Sequence, residues 1–112
     1  MLELLITLTI LVNAERATPV WPDVDLSSRA VERAESLCET KQWGHEGWLE
    51  SFKGVPYKIA GENLARGFNS PNQAFKAWMN SPSHKANIVK PTYTHFGAGQ
   101  GSCVVIVQLF KG

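Results

Sequence analysis

Three side chains in this sequence have the chemistry to form a polar site: His45, Glu62 and His84. His45 stands in the aromatic stretch QWGHEGWLESFKGVPY, residues 42–57. Glu62 follows a glycine in Gly61-Glu62-Asn63, and His84 closes Ser81-Pro82-Ser83-His84. Two imidazoles and a carboxylate suit a divalent metal such as zinc, with His45 and His84 as its ligands. The same set suits general acid–base work, with Glu62 taking the proton. Each residue also has a plain reading. A lone histidine commonly hydrogen-bonds at a surface or in a core. A carboxylate beside a loop commonly accepts backbone N–H groups. Asn63 reads as structural, tying down a turn, and His95 as peripheral. Trp43, Trp48 and Trp78 read as core. The sequence has no Gly-x-Ser-x-Gly elbow, phosphate loop or HExxH pair.

The setting of His84 sharpens its chemistry. Ser81 is a good N-cap and Pro82 suits a first helical position, so a short helix begins there and closes near Val89 and Pro91. Unpaired N–H groups make that end partially positive, which disfavours imidazolium and keeps a lone pair free. The same cap chemistry occurs eleven residues earlier. Ser70, Pro71 and Gln73 form a capping box for a helix to about Asn80, with Phe75, Trp78 and Met79 inward. Glu62 falls on a short strand read over Tyr57 to Ala65. The glycine- and aromatic-rich loop that carries His45 is long for so small a domain, a feature often tied to function.

Other elements must hold these in place. Leu4, Leu8 and Leu11 share a helical face with Leu5 and Val12 beside them, which predicts a buried first helix. The alternative is an atypical signal or anchor, but the run lacks a basic start and a small-residue cleavage site. It is also too short to span a membrane. Asp25 is the expected cap of a second helix ending near Lys41. Leu26, Ala30, Ala34, Leu37 and Cys38 lie on its inner face, and Arg29, Glu32, Arg33 and Glu35 largely on the outer. Thr94 to Phe110 reads as a β-hairpin. Gly97, Gly99 and Gly101 leave one face bare, so a helix or partner backbone can approach closely. Val104 to Phe110 is apolar on both faces, as a central strand should be. The sum is an α+β chain: a three-layer α-β-α sandwich around a small central antiparallel sheet.

With 112 residues the chain is expected to form one domain, residues 1–112. A net charge of +1 without a basic block gives no support for nucleic acid binding. Cys38 and Cys103 are read as two buried thiols. The competing reading is a disulfide closing a long loop, worth roughly 4 kcal/mol. No Cys/His spacing points to structural zinc.

The order of motifs resembles the CAP superfamily, the SCP-like domain shared by cysteine-rich secretory proteins, wasp venom antigens and plant pathogenesis-related proteins. The matching residues are Leu11 to Arg16, His45, Gly61 to Ala65, Ala77 to Ile88, Pro91, Tyr93-Thr94, Gly97 to Gly99 and Gln108 to Phe110. The resemblance implies an α-β-α sandwich with a cleft, in which His45 and His84 match the family histidines and Glu62 the acid of the Gly-Glu-Asn motif. Asn63 and Ser81 fall in the same cleft. A second family acid would fall close to Ser81 and is absent, leaving a triad. The resemblance implies an extracellular or secreted monomer whose cleft binds a divalent metal such as Zn2+, a small ligand, a lipid or a peptide. The alternative is a metal-dependent, peptidase-like hydrolase using the same residues.

Overall fold

A computed structural model describes residues 2–68 and 70–112. Helix α1 spans Leu2–Ala14 and the short strand β1 Trp21–Pro22. Helix α2 spans Val24–Thr40, followed by a 3-10 turn at Trp48–Phe52. Strand β2 is Ala60–Arg66, helices α3 and α4 are Pro71–Met79 and Pro82–Val89, and strands β3 and β4 are His95–Gln100 and Val105–Lys111. The sheet order is β1-β3-β4-β2. β3, β4 and β2 pair antiparallel, as expected, and β1 adds a two-residue parallel pairing to β3.

The alternation of β4 sorts the layers, since successive side chains leave opposite faces. Ile106 and Phe110 join the cluster built by α1, α3 and α4, with Leu8, Val12, Trp78 and Ile88. Val105, Val107 and Leu109 join the cluster of α2 and the 3-10 turn, with Leu26, Ala30, Leu37 and Phe52. This is the three-layer sandwich read from the pattern. Leu4, Leu5, Leu8 and Val12 are buried on α1, as its periodicity predicts. No helix of the described residues is long and apolar enough to cross a membrane.

The bare glycine face receives α2. A Cβ on Gly97 would strike the Leu26–Ser27 backbone, one on Gly99 the Ala30–Val31 backbone, and one on Gly101 would crowd Ala34 and the Cys38 sulfur. The helix therefore rests on the sheet itself, and the buried Ser27 hydroxyl accepts from the Ala98 N–H at 3.2 Å. Asn13 and Arg16 do comparable work at the end of α1. Asn13 exchanges two hydrogen bonds with the Val20 backbone. Arg16 donates to the carbonyls of Ile88, Lys90 and Tyr93, tying down the last turn of the helix that carries His84.

Several expectations need correction. Asp23, not Asp25, caps α2 by accepting from the Leu26 N–H at 2.9 Å, while Asp25 pairs with Arg29 one turn on. The strand carrying Glu62 begins at Ala60 rather than Tyr57, because Lys58 and Ile59 hydrogen-bond to Gly112 ahead of the ladder. Arg33 lies inside, not on the outer face of α2. Cys38 and Cys103 are joined in a disulfide rather than standing as two thiols. The bond pins the end of α2 to the β3–β4 turn across a sequence separation of 65. Loop closure of that length is worth roughly 4 kcal/mol through the unfolded chain. Reducing it, or replacing both cysteines by serine, should lower unfolding free energy by about that amount in denaturant titrations. An unchanged midpoint would contradict the role.

Candidate functional site

β2 is an edge strand whose two faces hold different parts of the site. Leu64 packs toward the α2 cluster and Ala65 belongs to the α1/α3/α4 cluster. By the period of two, Glu62 faces α2 and Asn63 faces the opposite side. Each finds there a partner suited to it.

Glu62 is buried, its side chain only 2% exposed, against an Arg33 side chain 8% exposed. The guanidinium fork meets the carboxylate in two places, Nε to Oε2 at 2.8 Å and Nη2 to Oε1 at 3.2 Å. His45 completes the set, its Nδ1 at 2.8 Å from Oε1. A carboxylate accepts, so the ring nitrogen donates and the proton sits on Nδ1. His45 is itself 54% exposed, so a buried pair holds an imidazole at the surface. Arg33 also donates to the carbonyls of Gly44 and Glu46, on either side of that histidine. Arg33 escapes notice when the residues of α2 are sorted by charge alone. The signal was in the spacing: Leu26, Ala30, Arg33 and Leu37 follow one helical stripe.

On the other face, Asn63 is fully buried within the strand rather than at a turn. Its amide donates to the His84 carbonyl and to Gln108 Oε1, each at 3.2 Å. Asn87 donates to Asn63 Oδ1 at 2.9 Å and to the Glu62 carbonyl at 3.1 Å, and accepts from the Tyr93 hydroxyl at 3.3 Å. Gly61 is required here, since a Cβ would overlap the Tyr93 ring and hydroxyl. Trp78 extends the pattern by donating to the Leu64 carbonyl at 2.9 Å. Asn87 and Trp78 thus cover outward carbonyls of an edge that would otherwise invite another strand. Trp78 is core, as expected, and also works by its N–H; Trp48 only packs partly buried against the α2 cluster, and Trp43 is exposed rather than core.

His84 sits in the first turn of α4 as predicted. Ser81 occupies the cap position but makes no side-chain cap bond. Its hydroxyl pairs instead with His84 Nδ1 at 2.8 Å. The serine at the place where the resemblance put a second acid therefore still holds its imidazole, without a charge. The His84 pKa lies below the ordinary 6.5, first because burial disfavours the charged ring and then because His45 repels it. Among the described residues no hydrogen bond joins His84 to Glu62 or His45. A cleft of about 280 Å3 opens beside His45, lined by Trp48, Ala60, Gly61, Glu62 and Asn87. The His95 ring pairs with the neighbouring Thr94 hydroxyl at 2.8 Å.

Two outcomes follow. Truncating Arg33 leaves a buried carboxylate without its fork, so Arg33→Ala should cost about 3–5 kcal/mol in denaturant unfolding. A loss under about 1 kcal/mol, typical of an exposed pair, would contradict the buried arrangement. For His84, the folded ring releases its proton more readily than the unfolded chain. Its contribution to stability is present above pH 6.5 and is lost as pH falls below that toward the lower folded value. His84→Gln should flatten the decline in stability below pH 6.5; an unaltered pH profile would contradict the shift.

Comparison with known proteins bears on the family and the fold. The sequence pattern of the cysteine-rich secretory protein family, CAP, matches residues 13–108. The uncharacterized protein YkwD of Bacillus subtilis is 37% identical over 101 residues, covering 80% of this chain and 39% of that protein. The chain thus spans well under half the length of that relative. An extracellular protein containing an SCP domain from Bacillus anthracis superposes with a TM-score of 0.88 at 19% identity, over 99% of this chain and 39% of that one. An outer surface protein of Borrelia burgdorferi gives 0.75 at 24% identity, over 97% and 86%. At those identities the two structures speak to the fold alone. The family pattern, running from Asn13 at the end of α1 to Gln108 in β4, makes the chain a member of the cysteine-rich secretory protein (CAP) family.

Proposed function

We propose that this domain is a non-catalytic binding module of secreted type, whose cleft at the β2 edge takes a divalent ion or a small ligand on the imidazoles of His45 and His84. The observation that carries this reading is the engagement of Glu62. Its two oxygens already accept three hydrogen bonds, from His45 and twice from Arg33. A carboxylate so held is a poor general base for a bound water and a good anchor for an imidazole. This favours recognition over the metal-dependent hydrolase reading, in which Glu62 would take a proton.

The donor set bears on the ion. Among the described residues no three His, Cys, Asp or Glu side chains converge as a metal shell. A cation would rest on the two imidazoles, with water or a ligand completing its coordination, and Glu62 would act behind His45. Such an ion would supply an open position for an oxygen or nitrogen ligand. The cleft volume, about 280 Å3, is at the low end for organic ligands. An ion or a short polar segment of a peptide suits it better than a lipid chain. The Cys38–Cys103 disulfide supports an oxidising compartment, and the Bacillus anthracis and Borrelia structures are described as extracellular and outer surface proteins.

Calorimetric titration with zinc tests the reading. The native chain should bind saturably, and His84→Ala and His45→Ala should each abolish or severely weaken binding. No heat of binding with the native chain would remove the ion. Turnover of a peptide library by the native chain, lost in Glu62→Gln, would overturn the non-catalytic reading.

A further inference from the structure

We propose that Arg33 is the positioning residue of the site: one buried guanidinium sets both the place and the tautomer of His45. The inference deepens the binding reading above and rests on it only for ligand affinity; the positioning itself stands on the geometry of the chain.

Four of the five N–H groups of Arg33 are used, all of them on groups that bear on His45. Nε and one Nη2 hydrogen hold the Glu62 carboxylate, whose Oε1 takes the His45 Nδ1 proton. The other two reach the Gly44 and Glu46 carbonyls, one residue before and one after His45. The histidine is therefore held by its backbone on both flanks and by its ring through the carboxylate, from a single planar fork. Elsewhere on this loop, Trp43 packs against the Arg66 guanidinium, 4.4 Å from its ring centroid. The loop has no regular structure before Trp48. Without Arg33 it would lose its principal polar anchor.

The chemical consequence is specific. With the proton fixed on Nδ1, Nε2 keeps its lone pair and faces away from the buried pair. A free histidine side chain prefers the opposite tautomer, with the proton on Nε2. Arg33 thus works through Glu62 to turn an ordinary exposed imidazole into an oriented donor of electrons. Lysine cannot replace it, because an ammonium is a point charge without the fork that spans carboxylate and carbonyls.

Nitrogen-15 shifts of the imidazole rings at pH 8, where an ordinary histidine is neutral, read the tautomer directly. The native chain should show His45 in the Nδ1–H form. Arg33→Gln should move it toward the Nε2–H form while the His84 ring is little changed. Zinc affinity should fall about 10–100-fold, the usual cost of losing an outer partner. Arg33→Lys, which keeps the charge beside Glu62, gives a second variant should the first not fold, and its His45 should shift likewise. A native His45 protonated on Nε2 would overturn the inference. So would a folded variant that is less stable yet keeps the native tautomer, since that is the signature of a purely structural arginine. If zinc fails to bind the native chain while the tautomer shifts as stated, the ion reading falls and the positioning role stands.

Discussion

The buried pair of Arg33 and Glu62 is the constraint on which the site depends. Two charges taken from water are costly, and their attraction alone seldom offsets that. Here the remaining donors and acceptors are nearly all satisfied, by two loop carbonyls and an imidazole. The arrangement joins three parts distant in sequence: α2, the loop after it and the edge strand β2. An apolar pair of similar volume could pack α2 against β2. It could not specify where an irregular loop lies, because a loop without regular hydrogen bonds needs polar partners elsewhere.

The opposite face of β2 solves a different problem with neutral groups. A chain of donations runs from Tyr93 to Asn87, and from Asn87 to Asn63 and on to Gln108. Its direction is fixed because Asn87 and Asn63 also donate to backbone carbonyls, of Glu62 and His84, which can only accept. Amide side chains that could be turned either way are thereby held in one orientation. Together with Trp78 they lock α3 and α4 to the edge strand, so the two imidazoles come from helices and loops registered on one short ladder.

Much of this was legible in the sequence. The glycine alternation announced the close helix, and the double-faced apolar run announced the central strand. The Ser-Pro pairs announced α3 and α4. Each of those signals is local, a consequence of backbone geometry or of a missing side chain. Arg33 was not legible by type, because arginine in a helix is ordinarily solvated; only its place on the stripe of Leu26, Ala30 and Leu37 marked it. The partner that justifies its burial lies 29 residues away, and no local pattern states it. The disulfide was misread as two thiols for the same reason, since two cysteines 65 residues apart say nothing of their distance in space. Asn87 and Trp78 were legible as members of a motif but not as guards of a strand edge.

The glycine ladder of β3 has a reach beyond packing. Because Gly97 and Gly99 have no side chains, α2 settles directly on the sheet, and that standoff decides how far the Arg33 guanidinium extends past the strands. The helix acts as a shelf whose height is set from below. A single methyl group added beneath it, overlapping the helix backbone, would force the shelf up and tilt the fork away from a carboxylate two strands off. The tuning of an exposed imidazole is thus written partly in residues that touch neither it nor any ligand, on a face of the sheet where the informative feature is what the chain leaves out.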